Sequence, residues 1–251
     1  ETEDRWRRGA ALVIAAAVLS LSAATASAQD PSFTARGSVE QVYVTGLEPG
    51  QRLALLSPEG EVVEKGSATA EGGLLFRKLK PGNGYRVRPA KGGPKSGPLR
   101  VLSTKSAPPD TAIYEQELPA DGYGYLETRD GTKLALSVHP PQDVAGVVPG
   151  LELPPLPAGP TPTLIEYSGY GYANPAGPTN GISILANLMG FTVVDVNMRG
   201  TGCSGGAFDF FEPLQGLDGY DIIETVARQP WVANGKVGML GISYGGISQL
   251  F

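Results

Sequence analysis

Between residues 163 and 246, short apolar runs alternate with amphipathic ones, and no other feature constrains the fold of this chain as tightly. Residues 163–167, 191–197 and 237–242 have the composition of buried strands. Residues 182–189 read as a helix closed by Gly190 in the C-cap role. Residues 217–228 place Leu217, Tyr220, Ile222 or Ile223, and Val226 at helical spacing before Pro230 stops the run. Strands that alternate with helices join through right-handed crossovers, which predicts a parallel sheet and an α/β architecture. The 35 glycines and 22 prolines imply many turns and exclude a purely helical protein.

Upstream the texture differs. From residue 33 to 101, alternating runs at 39–44, 52–56, 61–63, 74–79 and 85–88 are separated by turn clusters such as Glu48-Pro49-Gly50 and Lys80-Pro81-Gly82-Asn83-Gly84. This spacing predicts a small all-β, sandwich-like domain over 33–103. The stretch 91–110, rich in Pro, Lys and Ser, reads as loop with a strand-like segment at 99–102. A linker over 104–120 then leads into the α/β part at 121–251. Residues 125–128 and 133–139 flank Arg129-Asp130-Gly131-Thr132 as a hairpin with an Asp-Gly turn, and the proline-rich residues 140–162 read as a surface excursion.

At the front, Arg5, Arg7 and Arg8 precede an uncharged apolar run over 10–26 and then Ala26-Ser27-Ala28. That is the charged region, apolar region and small-residue cleavage site of a secretory signal peptide at 1–28, so a secreted or cell-envelope location is expected. A formal charge of −5 supplies no basic field for nucleic acid. Cys203 is the single cysteine, so this chain forms no disulfide within itself; a lone thiol and pairing with a cysteine outside the chain both stay open. No His or Cys cluster has ligand spacing, and Gly200 to Gly206 lacks the Lys-Ser/Thr ending of a phosphate loop. No metal, nucleotide or other cofactor is expected.

The third strand of the α/β part runs into Gly241-Ile242-Ser243-Tyr244-Gly245-Gly246, a G-x-S-x-G between a strand and a helix. A sharp turn there lifts the Ser243 hydroxyl to the carboxyl end of the sheet. Glycine on both sides leaves room where a Cβ would strike the neighbouring strand and helix. Ser243 is the candidate nucleophile, and the backbone N–H of Tyr244 is placed to stabilise a developing oxyanion. A serine hydroxyl needs a general base, and in this order of elements the acid and the imidazole follow the serine. Eight residues follow Ser243, and the one histidine, His139, stands upstream at a strand end. The expectation is that His139 is an ordinary strand residue and that this polypeptide alone does not complete a triad. Asp195, Arg199 and the glycines at 200, 202, 205 and 206 are expected to form the loop after the second strand, an ion pair and tight turns shaping the pocket rim. Trp231 reads as core.

Residues 193–206 (VVDVNMRGTGCSGG) and 221–246 (DIIETVARQPWVANGKVGMLGISYGG), with Gln229-Pro230-Trp231, Gly235-Lys236-Val237-Gly238 and the serine turn, resemble the X-prolyl dipeptidyl-peptidase and cocaine-esterase-like serine hydrolases. The resemblance covers roughly Gly124 to the end. It implies an α/β-hydrolase fold truncated after its nucleophile turn and an acyl-enzyme on Ser243. It also implies a tyrosine hydroxyl as second oxyanion donor, which falls on Tyr170 in Glu166-Tyr167-Ser168-Gly169-Tyr170, with Tyr167 and Tyr172 as neighbouring alternatives. The implied substrates are peptides that lose an X-Pro dipeptide, or small esters and amides. Relatives acting on α-amino acid esters carry a carboxylate two positions after that tyrosine. Tyr172 stands there instead, so a free-ammonium site is not implied. An expectation of another class is a non-catalytic envelope protein whose β-sandwich makes cell-wall contact over a hydrolase-like scaffold.

Overall fold

The computed structural model describes residues 31–142, 155–156, 158–176 and 179–250; the expected leader at 1–28 and part of the proline-rich excursion lie outside the described residues. Seven short strands come first: β1 (Thr34–Gly37), β2 (Val42–Thr45), β3 (Arg52–Leu56), β4 (Val62–Ser67), β5 (Leu74–Phe76), β6 (Gly82–Pro89) and β7 (Leu99–Val101). They pair antiparallel into two sheets, ordered β1-β2-β5 and β4-β3-β6-β7. Alternation along β2, β3 and β6 sends Val42, Val44, Leu53, Leu55, Tyr85 and Val87 inward to one core with Phe76 and Val101. Three departures from the sequence expectation have local causes. β1 lacks apolar alternation and stays half exposed. The strand expected from residue 39 begins only at Val42, because Glu40 takes a left-handed backbone at φ +54. The strand expected at 61–63 continues to Ser67 as a solvent-facing strand with no inward face to generate a pattern.

The expected linker is packed against the second unit rather than free. Asp110 caps a single 3-10 turn (Thr111–Tyr114), the buried Tyr114 donates its hydroxyl proton to Asp221, and the Leu118 N–H donates to Gln229. The second unit then runs β8 (Gly122–Glu127), β9 (Lys133–His139), β10 (Thr161–Ser168), α1 (Gly181–Leu188), β11 (Thr192–Asn197), α2 (Pro213–Ala227), β12 (Val232–Met239) and α3 (Tyr244–Ile247). Its sheet has the order β12-β10-β11-β9-β8. β10 is parallel to β11 and β12, whereas the β8–β9 hairpin joins antiparallel through β9 and β11, so the sheet is mixed rather than parallel throughout. The fold is α/β, in the order of an α/β-hydrolase. Residues of β11 are buried along its whole length, as a strand covered on both faces requires.

Two boundaries move for physical reasons. α2 begins at Pro213, whose missing N–H suits a first helical position. β12 begins at Val232, five residues earlier than expected. Asn234 and Gly235 then take left-handed backbones and the pairing shifts between Thr161 and Thr163, while residues 240–242 leave the strand. Because β10 lies between β11 and β12, the two crossovers leave in opposite directions. Right-handed crossovers put α1 and α2 on opposite faces, and the crevice such an arrangement opens lies at the carboxyl ends of β10 and β12, where Tyr170, Ile242 and Ser243 line a cavity.

One buried cation ties the units together. Arg199, 1% exposed, reaches Asp218 of α2 at 2.6 and 2.5 Å through Nε and Nη2, and Asp130 of the hairpin turn at 3.0 Å through Nη1. Ser38 of the β-sandwich donates to the same Asp130 carboxylate. Burial opposes ionisation of Asp130, but the Arg199 guanidinium and the Ser38 and Thr132 hydrogen bonds outweigh it and hold the carboxyl well below its usual range. Replacing Arg199 with Met strands two buried carboxylates. Arg199→Met is expected to lower the unfolding free energy by about 3–5 kcal/mol, read from denaturant unfolding; a loss under about 1 kcal/mol would mean that the network behaves as surface charge.

Candidate active site

β12 stops at Met239, the Leu240 N–H donates to the Ile165 carbonyl of β10 at 3.0 Å, and the chain turns sharply into α3. Ser243 sits in that turn at φ 56 and ψ −114, a backbone that non-glycine residues adopt only under constraint. The constraint is visible on both sides. A Cβ on Gly241 would enter the backbone of Gly245 and Gly246, and one on Gly245 would enter the Glu166 carboxylate of β10. Gly241 is therefore required by the backbone of the following helix, while a side chain at Gly245 would have to displace the buried Glu166 carboxyl. Ser243 is left exposed at the crevice mouth.

β10 delivers the tyrosines. Tyr170 is half exposed, and its hydroxyl accepts the Tyr244 N–H at 3.4 Å while its ring stands edge-on to the Tyr244 ring. The two expected oxyanion donors are thus adjacent, close enough for one oxygen to meet both at hydrogen-bond distance. Of the alternatives, Tyr167 points into the core and donates to the Gln215 carbonyl at 3.2 Å, which removes it from the site. Tyr172 shares the cavity, its ring 5.6 Å from that of Tyr170. That cavity, about 700 Å³, is lined by Tyr170, Tyr172, Ile182, Leu185, Ile242 and Ser243 among others.

His139 ends β9, an ordinary strand residue as expected, whereas Asp195 departs from its expected place. His139 pairs in register with Val193 near the amino end of β11, four residues from Asn197 at the carboxyl end, so it lies at the wrong end of the sheet to serve Ser243. Asp195 is not in the loop after β11 and makes no ion pair with Arg199. It is buried within the strand, accepts the Ser183 hydroxyl at 2.8 Å, and has His139 Nε2 at 3.4 Å. The ion pair expected for Arg199 is made with Asp218 and Asp130 instead. Trp231 is partly buried against the core, and Cys203 is exposed with a free thiol.

The sequence reading missed two sets of residues. Phe208, Phe210 and Phe211 place their rings 6.3, 5.2 and 4.9 Å from that of Tyr244, whose phenol donates to Gln215 at 3.0 Å. Their signal was a cluster of aromatics in a loop with no helical or strand period. The second is Glu166, buried beneath the serine turn. Ser168 donates to one of its oxygens at 3.1 Å and the other has no hydrogen-bond partner among the described residues. Burial pushes the Glu166 carboxyl from 4.5 up to about 8, the Ser168 hydrogen bond opposing and Asp195 adding to the rise. It therefore keeps its proton at neutral pH. A neutral acid is what a site in van der Waals contact with Gly245 tolerates; a buried carboxylate there would need a partner.

Residues 130–251 match the model of the X-Pro dipeptidyl-peptidase (S15 family). Ser243, Tyr244 and Tyr170 all lie within that S15 match. Among solved structures, a CocE/NonD family hydrolase from Staphylococcus aureus is 24% identical, covering 51% of this chain and 23% of that one, with a TM-score of 0.41. An aminopeptidase from the marine sediment archaeon Thaumarchaeota archaeon is 19% identical over 58% of this chain and 24% of its own, with a TM-score of 0.38. An α/β serine hydrolase without a lid from Xanthomonas campestris is 20% identical over 54% and 56%, also at 0.38. This chain thus spans about a quarter of the length of the first two. No curated protein matches the chain.

The protonated Glu166 gives a pH signature. The unfolded carboxyl titrates near 4.5 and the folded one near 8. The folded state therefore holds the extra proton between those values, and stability falls as pH rises through that window. The slope from this one group reaches about 1.4 kcal/mol per pH unit. Glu166→Gln should unfold at a similar temperature to the native protein at pH 4.5 and at a higher one at pH 8; parallel melting profiles across the range would disprove the protonated state.

Proposed function

We propose that this chain forms the front part of an exported serine hydrolase in which Ser243 attacks a carbonyl and carries the acyl group. The observation that carries the reading is the strained, exposed Ser243 with the Tyr244 N–H and the Tyr170 hydroxyl converging beside it. In attack, the bond from Ser243 Oγ to the carbonyl carbon forms as the carbonyl π bond opens, and the resulting oxyanion takes hydrogen bonds from the Tyr244 N–H and the Tyr170 O–H. Collapse expels an amine or alcohol, and water then releases the acid. The general base that accepts the Ser243 proton is not His139, which faces the opposite end of the sheet. It is an imidazole beyond Ser243 in the parent protein, held by a carboxylate, as the order of elements in this fold requires. The substrates that fit the S15 match are peptides with an X-Pro amino terminus or small esters and amides. The apolar lining from Ile182, Leu185 and Ile242 suits an apolar group, a proline ring or an alkyl chain, next to the scissile carbonyl. Export rests on the arginine-flanked apolar run at the front of the chain.

The test is hydrolysis of an X-Pro p-nitroanilide and of a short-chain p-nitrophenyl ester by the full-length protein. Ser243→Ala is expected to lower kcat by about 10⁴-fold or more. Release of nitroaniline marks a dipeptidyl-peptidase, and ester turnover alone an esterase. No turnover at all would return the protein to a non-catalytic envelope role, and turnover unchanged in Ser243→Ala would remove Ser243 as the nucleophile. Tyr170→Phe removes one oxyanion donor and should lower kcat about 10²–10³-fold with little change in KM, measured on whichever substrate turns over.

A further inference from the structure

The loop between β11 and α2, residues 198–212, is held by the β-sandwich at its start, middle and end. At the start, Arg199 Nη1 lies 3.4 Å from the Ser38 hydroxyl, and Ser38 donates to the Asp130 carboxylate that Arg199 also binds. In the middle, Arg77 of the β-sandwich pairs with Asp209 at 3.1 Å and donates through Nη2 to the Phe208 carbonyl at 3.3 Å. At the end, the Gln41 amide donates to Glu212 at 3.1 Å, immediately before α2 begins. Within the loop the backbone closes on itself, Gly200 N–H donating to the Gly205 carbonyl at 2.8 Å, and a Cβ on Gly200 would strike the backbone at Phe208. There is little slack between the anchors.

What the loop carries between its anchors is the aromatic wall of the candidate site. Phe208, Phe210 and Phe211 surround the buried Tyr244 ring on one side, and Tyr170 closes it on another. Gly169, next to Tyr170, has room for no side chain because the Tyr244 and Phe208 rings stand against it. The loop is thus packed directly against the Tyr244 ring, whose backbone N–H follows Ser243.

We propose that the β-sandwich is a positioning module for the active site: Arg77 and Gln41 hold the 198–212 loop so that its phenylalanines fix Tyr244 beside Ser243. The kinetic half of this proposal rests on the reading of Ser243 and Tyr244 given above; the structural half does not. Arg77 and Asp209 are each nearly half exposed, and such a pair acting alone contributes little. The effect comes from holding a short loop at several points at once, so the informative variant removes two anchors from the β-sandwich and leaves the hydrolase unit untouched.

The experiment compares the full-length protein with Arg77→Ala/Gln41→Ala by amide hydrogen exchange and by turnover. Exchange over residues 207–214 and 243–248 is expected to rise several-fold while β10 and β11 stay as protected as before. Exchange unchanged in both segments overturns the proposal whether or not the protein turns over any substrate. In turnover, kcat is expected to fall about tenfold with KM and melting temperature nearly unchanged. Asp209→Asn should have a similar effect that does not add fully to that of Arg77→Ala, because the two residues act on one loop. Faster exchange with kcat unaltered would make the module a packing appendage and overturn positioning. Activity independent of Ser243 would instead sink the catalytic reading, leaving the exchange result to decide whether the loop is held.

Discussion

Arg199 is the one charge in the molecule that the arrangement of everything else presupposes. A guanidinium 1% exposed can persist only if its donors are satisfied, and the satisfying groups come from three places: Asp218 of α2, Asp130 and Thr132 of the β8–β9 turn, and Ser38 of the β-sandwich. Burying such a network gains little net free energy, because desolvation offsets most of the attraction. What it gains is uniqueness. Any slippage of α2, of the Asp130 turn or of the sandwich leaves a carboxylate or a guanidinium buried and unpaired, and that asymmetry selects a single relative placement of the parts. Arg129 repeats the device nearby, donating to Asp221 of α2 at 2.7 Å through Nη2, with Tyr114 on the same carboxylate.

The serine turn depends on a second constraint, of crowding rather than charge. Ser243 stays in its left-handed backbone because β10, Gly241 and Gly245 leave the chain no roomier path. Glu166 is part of that crowding, a side chain whose length fills the space under Gly245 and whose proton avoids the penalty of a buried charge. Its cross-strand neighbour Asp195 is managed differently, with the Ser183 hydroxyl on one oxygen and His139 near the other. Two acids in the middle of a sheet are thus placed differently, one keeping its proton and one taking the Ser183 hydrogen bond, with its second oxygen 3.4 Å from His139 Nε2 but outside a hydrogen bond.

The order of elements and the serine turn were legible because they rest on local rules: apolar runs bounded by turn residues, and glycine where backbones approach. Tyr170 was legible only through a resemblance, since nothing in its neighbours distinguishes it from Tyr167 or Tyr172; burial separates Tyr167, and only the 3.4 Å contact with Tyr244 singles out Tyr170 over Tyr172. Asp195 misled because a charged residue near glycines reads as loop, whereas the buried Ser183 and His139 that let it sit in a strand are distant in sequence. β12 was placed late because Asn234-Gly235, a turn signal, here bulges a strand without ending it. The anchors from Ser38, Gln41 and Arg77 were invisible, since contacts across 131 to 171 residues leave no local pattern.

The long-range contacts and the serine turn meet at one residue. Tyr244 has its N–H beside the Tyr170 hydroxyl, its ring among three phenylalanines, and its phenol on Gln215 of α2. Each tie comes from a different element, so the placement of one backbone N–H next to Ser243 is decided by β10, by α2 and by a loop that the β-sandwich holds. An amide has no side-chain freedom with which to correct an error, and a shift of about 1 Å is enough to weaken a transition-state hydrogen bond. Surrounding the following side chain from several directions is a physical way to hold an amide still, which is the role proposed for the leading β-sandwich.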